Sequence, residues 1–378
     1  MNNDPPGRPA PDEAFDASND VRLSWRQWLV AGAVALAVLA GLPAAWEHVE
    51  RIEPAADYRI PYTLSDDYWL FARRCRQVAA RGQTFVLGDS VVWGHYVTQD
   101  RTLPAALNRL AAGERFANLG VDGIHPAALA GLIEHHGGAV RGAAVLLHAN
   151  LLWMSSKRHD LQTRKEFAFN HPRLVPQFSP AIPCYAETIA GRLRIVVHRH
   201  VPLLQWAAHL RMAYWGRADL PAWTIDHPYA CPLGAVTLRI PAGRRAASPP
   251  ADAVSWTKRR IPPLDASWVP LGESFQWASL RRAVETLRAR GNRVFVLLGP
   301  FNEHMLTPES LQRYRRRQHE ATAWLRERNV PHLVPPALPT EYYADASHPL
   351  AAGYAELARQ LRENDAFGQF DAAKGRTR

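Results

Sequence analysis

Thr84-Phe85-Val86-Leu87-Gly88-Asp89-Ser90 is the stretch on which the reading of the fold turns. A short apolar run stopped by a glycine reads as a buried strand. Gly88 permits a tight turn, and the helix that follows can expose a serine hydroxyl at its start. The same rhythm recurs outward from this point. Before it, residues 66–81 read as a helix, with Trp69, Leu70, Cys75 and Val78 near helical spacing. After it, a helical stretch around 102–112 leads to a second strand, Arg115 to Leu119, ending at Gly120. Pro126 to His136 reads as a helix, and Ala143 to Leu147 as a third strand running out at His148-Ala149-Asn150. Residues 275–290 then predict a helix and Arg293 to Leu298 a fourth strand. A long Arg-rich helix over 308–328, a short strand Pro331 to Val334 and a last helix over 350–362 complete the series. Strands alternating with helices put the chain in the α/β class, with a parallel sheet covered on both faces.

Residues 155–270 break that rhythm. They hold 14 of the 30 prolines, and 16 Lys/Arg against 7 Asp/Glu, so nearly all of the net charge of +10 lies in this insertion. Such a segment is either a proline-rich elaboration with solvated charges or a basic surface for an acidic polymer or anionic lipid headgroups. Trp206, Leu210 and Trp215 within it face either the core or a membrane surface. With 378 residues, 47% hydrophobic and 21% charged, the chain buries a full-sized core and is neither disordered nor collagen-like. Only four of its 45 basic residues are Lys, an Arg bias rather than a nucleic-acid code. Three cysteines (Cys75, Cys184, Cys231) make no disulfide framework and show no metal-ligand spacing, although Cys184 and Cys231 either pair or remain thiols.

Residues 28–46 carry no charge and approach the roughly 20 residues a helix needs to cross a bilayer. Tryptophans at 25, 28 and 46 sit at interfacial positions. Arg22 and Arg26 precede the span, whereas Glu47 and Glu50 follow it. The reading is a disordered cytoplasmic tail over 1–27, a transmembrane helix over 28–46 and an extracytoplasmic domain over 47–378, anchored in a cell inner membrane and facing the periplasm. A cleaved signal peptide and a buried soluble helix are the alternatives. Cleavage is disfavoured by the long leader and by Leu42-Pro43-Ala44-Ala45 at the expected cut. An extracytoplasmic domain leaves no role for nucleic acid.

Four short pieces carry the chemistry, three at the C-terminal ends of predicted strands and one in the final loop, the edge where open parallel sheets bind ligands. Ser90 is a candidate nucleophile. Asp345-Ala346-Ser347-His348 offers a base and the carboxylate that fixes its tautomer. Gly123, in Asn118-Leu119-Gly120-Val121-Asp122-Gly123, and Asn150 fit the backbone and side-chain donors an oxyanion needs. Each piece taken alone also describes an ordinary turn, cap or surface pair. Asn302, Glu303 and His304, beyond the fourth strand, are candidate substrate contacts or simple loop caps, and His148 is a further candidate contact. His95 and Trp93 read as helix packing.

In order along the chain, these blocks resemble the SGNH, or GDSL-type, hydrolase family: Ser90 in Gly-Asp-Ser, then Gly123, Asn150, and His348 in Asp-x-x-His. The resemblance covers residues 84–154 and 275–362 and leaves out the anchor and the insertion. It implies a flavodoxin-like three-layer α/β/α sandwich, catalysis by Ser90, Asp345 and His348, and an oxyanion hole from the Ser90 N–H, the Gly123 N–H and the Asn150 amide. It implies no metal and no organic cofactor. Gly123 is preferred to Gly120 by its spacing from Asn118. The sequence departs from the family at the third block, where His148 stands in place of the usual glycine and puts a bulky group at the site's edge. Tethered members of the family modify cell-wall or exopolysaccharide glycans. The expected function is therefore a serine-dependent ester hydrolase or O-acyltransferase acting on an acylated extracytoplasmic glycan, with a membrane-bound acyl-donor protein as a partner. A non-catalytic polysaccharide-binding or assembly protein and a phospholipase are the competing functions.

Overall fold

The computed structural model describes residues 23–52, 57–165, 169–240 and 253–372. Most of the polar leader over 1–27 lies outside them. Helix α1, Trp25–Val49, extends the expected span of 28–46 by three residues at each end, and is capped by Ser24, which accepts from the Gln27 N–H. Its side chains are almost all exposed, and it is long and apolar enough to cross a membrane. Helix α2, Tyr68–Ala80, begins on the Asp67 cap. Strand β1, Thr84–Gly88, is followed by the short α3, Ser90–Trp93, and α4, Leu103–Leu110. Then come β2, Phe116–Gly120, α5, Pro126–His136, and β3, Ala144–Ala149. The insertion folds into α6, Ile189–His200, α7, Pro202–Tyr214, and α8, Leu220–Asp226. Helix α9, Phe275–Ala289, and β4, Arg293–Leu298, restore the alternation. They are followed by α10, Pro308–Glu327, β5, His332–Leu333, and α11, Ala351–Glu363. The sequence reading makes α11 the last helix, but the series continues. Helix α12, Asp365–Ala372, follows and packs Phe367 and Phe370 beneath the sheet.

All five strands pair in parallel, in the order β2-β1-β3-β4-β5. Side chains alternate between two packed layers, as a period of two requires. Phe85, Leu87, Val145, Leu147 and Val296 join the layer built on α2, α5, α9 and α10. Val86, Leu146, Phe295 and Leu297 join the layer built on α3, α4, α11 and α12. Chain order reverses between β1 and β3, so the segment leaving β1 opens at the switch point where doubly wound sheets place their ligands.

The third strand runs two residues further than predicted. His148 is therefore inside β3, paired with Leu297, and alternation places it with Leu146 on the α3 side. It does not stand at the cleft edge.

A polar clasp joins α1 to the rest of the domain. Glu50, at the C-cap of α1, accepts from Arg73 of α2 at 2.5 Å, Tyr214 of α7 at 2.5 Å and Trp46 at 3.1 Å. His209 of α7 spans Glu50 (2.9 Å) and Asp67 (2.7 Å) and is fully buried. Trp206, expected at the core or a membrane surface, meets Trp46 edge-on with centroids 5.5 Å apart, while Trp215 donates to the Pro232 carbonyl. Burial disfavours charge on His209, but the two carboxylates outweigh it and raise its pKa to about 9. A base whose folded pKa exceeds the unfolded one stabilises fully below the unfolded value, and that stability fades as pH rises through the folded one. Melting in detergent is expected to hold between pH 6 and 7 and to fall through about pH 9. A His209→Phe variant that kept the same fall would overturn the assignment.

Candidate active site

Asp89 is the N-cap of α3, and its Oδ1 accepts from the Val91 N–H at 3.0 Å. That cap sets Ser90 as the first residue of the helix, half-buried at the switch point. Behind it, the Gly94 carbonyl bonds Arg59, and Tyr354 of α11 donates to the Val91 carbonyl at 2.6 Å, so α3 is clamped from two sides.

The loop between β5 and α11 delivers the partner. His348 Nε2 lies 2.8 Å from Ser90 Oγ, and His348 Nδ1 lies 2.8 and 2.9 Å from the two Asp345 oxygens. The Ser347 and His348 N–H groups both donate to Asp345 Oδ1 at 3.0 Å. Burial favours the neutral acid, but His348 and these amides hold the Asp345 carboxyl far below the usual carboxylate range. Burial also opposes charge on His348. The Asp345 carboxylate wins, helped by Asp89 and Asp122, and the imidazole is more basic than usual.

The structure brings Gly123 and Asn150 to the same edge and discriminates between the two glycines of the second block. The Gly120 N–H donates to Asn118 Oδ1, and a Cβ there would lie 2.2 Å from the Trp93 backbone nitrogen, so Gly120 serves close packing of α3 on β2. Gly123 adopts φ +69°, a conformation that favours glycine, with Asn170 donating to its carbonyl at 3.3 Å. The Asn150 amide is not wholly free. It donates to Asp89 Oδ2 at 2.9 Å, and its carbonyl accepts from the Leu152 N–H. One amide hydrogen is left for a ligand.

Asp89 is thus the hub that sequence reading missed. It collects Asn150, Val91 and the Trp153 indole (3.2 Å), and the buried His148 ring lies 3.1 Å from it, out of hydrogen-bond alignment. Burial pushes its carboxyl up, but these partners hold it at about 2. The bulk of His148 is stored beneath the site rather than at its edge, which corrects the expectation of a substrate contact there.

Of the candidate contacts after β4, Asn302 is corrected. Asn302 is fully buried. Its amide donates to the Asp345 carbonyl at 3.1 Å and its N–H to Ala346 at 2.9 Å, so it braces the His348 loop. Glu303 accepts two bonds from Arg315, and the His304 ring meets the Leu338 carbonyl. None of the three bonds to Ser90 or His348.

Trp93 is packing, as expected, with its indole donating to the Ile60 carbonyl. His95 is not. Its Nδ1 lies 2.6 Å from Asp122 Oδ1, its side chain is 40% exposed, and its ring centroid is 5.5 Å from that of His348. Tyr96 stands edge-on to His348 from 5.4 Å, and the two side chains wall the base. The only signal for either in the sequence is proximity to Ser90. Cys75 is buried in α2, where burial raises its thiol to about 12, and Cys231 is an exposed thiol.

A cavity of about 620 Å3 starts beside this loop at Asp122 and Asn170 and runs past Tyr62, His171 and Arg217. It shares Tyr68, Phe169, Arg173 and Arg211 with a second cavity of about 760 Å3 inside the insertion. Neither is lined by Ser90, Asp345 or His348. Compared with known proteins, the chain matches no protein-family model and no curated protein.

Proposed function

We propose that the chain is a membrane-anchored serine esterase or O-acyltransferase of the SGNH type, with the flavodoxin-like sandwich of that family, acting on ester-bearing extracytoplasmic carbohydrate. The observation that carries this reading is the unbroken hydrogen-bonded series from Ser90 Oγ through His348 to Asp345. A hydroxyl becomes a nucleophile when a positioned base takes its proton and a third group orients the base. The β2-β1-β3-β4-β5 order and the placement of Ser90 at the switch point support the fold assignment. The long aromatic- and arginine-lined trough leading from Asp122 suits an extended substrate better than a small ester.

In this mechanism Ser90 Oγ attacks the ester carbonyl as His348 Nε2 takes its proton. The oxyanion is met by the Ser90 and Gly123 N–H groups and the remaining Asn150 amide hydrogen. Collapse breaks the ester C–O bond, and the departing sugar oxygen recovers the proton from His348. Water or a second sugar hydroxyl then attacks the acyl-serine, again through His348, and returns Ser90. Hydrolysis and transfer differ only in that acceptor, and a membrane-bound acyl-donor protein would serve the transfer route. The positive-inside rule, with Arg26 in the first turn of α1 and Glu47 and Glu50 at its far end, supports an extracytoplasmic, periplasmic domain. A C-terminal reporter active only in the cytoplasm would contradict that orientation.

The full chain in detergent is tested with a serine-directed fluorophosphonate, a chromogenic acetyl ester and liposomes. Expected are one phosphonyl adduct, lost in Ser90→Ala, and acetyl release. No adduct and no turnover would leave the non-catalytic binding reading, and fatty-acid release from liposomes the phospholipase one.

Two further outcomes follow from the geometry. Asn150→Ala is expected to lower kcat about a hundredfold with little change in KM, because the donor meets charge that exists only near the transition state. Unchanged kcat would remove Asn150 from the oxyanion hole. Because the base acts as neutral imidazole, kcat/KM rises with pH as His348 deprotonates, with a midpoint above the ordinary 6.5. Asp345→Asn removes the charge that holds it there. Its midpoint is expected to move acidward, and an unmoved one would deny Asp345 that role.

A further inference from the structure

Outside α1, nine of the thirteen exposed large hydrophobic side chains among the described residues fall between Ile189 and Leu238. Scattered single apolar residues are ordinary on a protein surface, but such a concentration marks a contact. On α6, Ile189, Leu193 and Val197 recur every four residues and form one exposed stripe, led by Ile189 at 73%. Helix α8 adds Ile225 at 78%, and the turn after it adds Leu233 at 77%.

The clasp fixes where this patch lies. Trp46 meets Trp206, and Glu50, one turn further along α1, meets His209 and Tyr214. Residue numbers rise together, so α7 runs in the direction in which α1 leaves its apolar span. The start of α7 and the turn joining it to α6 therefore point back toward that span. The far end of the insertion closes beyond Glu50, on the domain side of α1: the Arg51 N–H donates to the Leu238 carbonyl, and the Ile240 N–H donates to the Arg51 carbonyl. Helix α8 and Leu233 follow the far end of α7, where Trp215 bonds the Pro232 carbonyl. The α6–α7 turn, with Val197 and Leu204 exposed beside it, is thus the part of this surface nearest the exposed span of α1. Between residues 189 and 204 the sequence carries three Arg and no acid; Arg192 and Arg199 donate to backbone carbonyls, and the exposed Arg194 suits an anionic headgroup.

We propose that α6 and the start of α7, residues 189–204, form an interfacial collar beside the exit of α1. Its apolar side chains enter the upper acyl region of the bilayer and Arg194 meets lipid phosphate. This rests on the reading of α1 as a membrane anchor. An amphipathic surface of this composition lies in the interface plane rather than across it.

The test uses the full chain in nanodiscs of phosphatidylethanolamine and phosphatidylglycerol, with a diazirine amino acid placed singly at Leu193, Val197 or Leu204. Val34 in α1 reports on the anchor. Leu110, exposed on α4 in the layer across the sheet from α2, is the control. After irradiation, mass spectrometry is expected to find lipid adducts at Val34 and at all three collar positions, and none at Leu110. Adducts at Val34 alone would overturn the collar and leave the anchor standing. Their absence from Val34 as well would overturn both. Crosslinks from Leu193 to a second copy of the chain in place of lipid would assign the patch to self-association and overturn the proposal.

Discussion

Ser90→Ala is expected to abolish ester turnover while leaving the melting temperature of the full chain nearly unchanged. In a hydrolase where nucleophile and base act as one unit, removing either costs on the order of 10^6-fold in kcat. Deleting one half-buried hydroxyl touches little packing, because α3 is held by Asp89, Arg59 and Tyr354 rather than by Ser90 Oγ. His348→Ala is expected to fall as far. Asp345→Asn is expected to fall by about 10^4-fold, since the oxyanion donors survive and the tautomer does not. Initial rates on an acetyl ester, with fluorophosphonate labelling followed by intact mass, make the measurement. Wild-type turnover in Ser90→Ala would end the mechanism.

The largest effect on stability is expected at Glu50, far from the chemistry. Glu50→Ala leaves the Arg73 guanidinium and the buried His209 without the carboxylate that both contact. Removing one partner of a buried pair strands the other charge, at a cost of about 3–5 kcal/mol. Burial works against the Glu50 carboxylate, yet His209, Tyr214 and Trp46 lower its pKa below the ordinary value, so the group is charged in the folded protein. A lowered melting temperature should come with early proteolytic cutting between α1 and α7. A Glu50→Ala protein as stable and as protease-resistant as the wild type would show the clasp to be ornamental.

How far the sequence could be read depends on the range of the forces involved. The strands and most helices were legible because their causes are local. Four buried residues and a glycine mark β1, and Arg293–Leu298 has the run of a strand between Asn292 and Gly299. Ser90, Asp345 and His348 were legible as a set, since their residue types and order suit one reaction. Side-chain direction was not. His148 reads as a cleft-edge residue when the third strand is ended at Leu147; two further ladder positions put it inside the sheet, where its ring is buried. Asn302 could be placed near the site, but only the folded loop shows that it serves the Asp345 backbone. Asp89 was in view from the start as a cap. Its partners at 148, 150 and 153 come together only when β1 and β3 pair. The clasp was invisible for the same reason: Glu50 and His209 are 159 residues apart.

That clasp decides how far the domain can move about the end of α1. A flexible stalk of about 20 residues would let a tethered domain wander roughly 25 Å from its root, sampling a hemisphere above the bilayer. Here the root of α1 is bolted to α2 and α7 by Glu50, Arg73 and His209, so Ser90 travels with the helix at a set height and a set tilt. Under the proposed function, a site mounted this way would work at one altitude. It would meet chains as they emerge across the membrane beside it, on lateral diffusion in two dimensions, and polymer already released beyond that level would pass out of range.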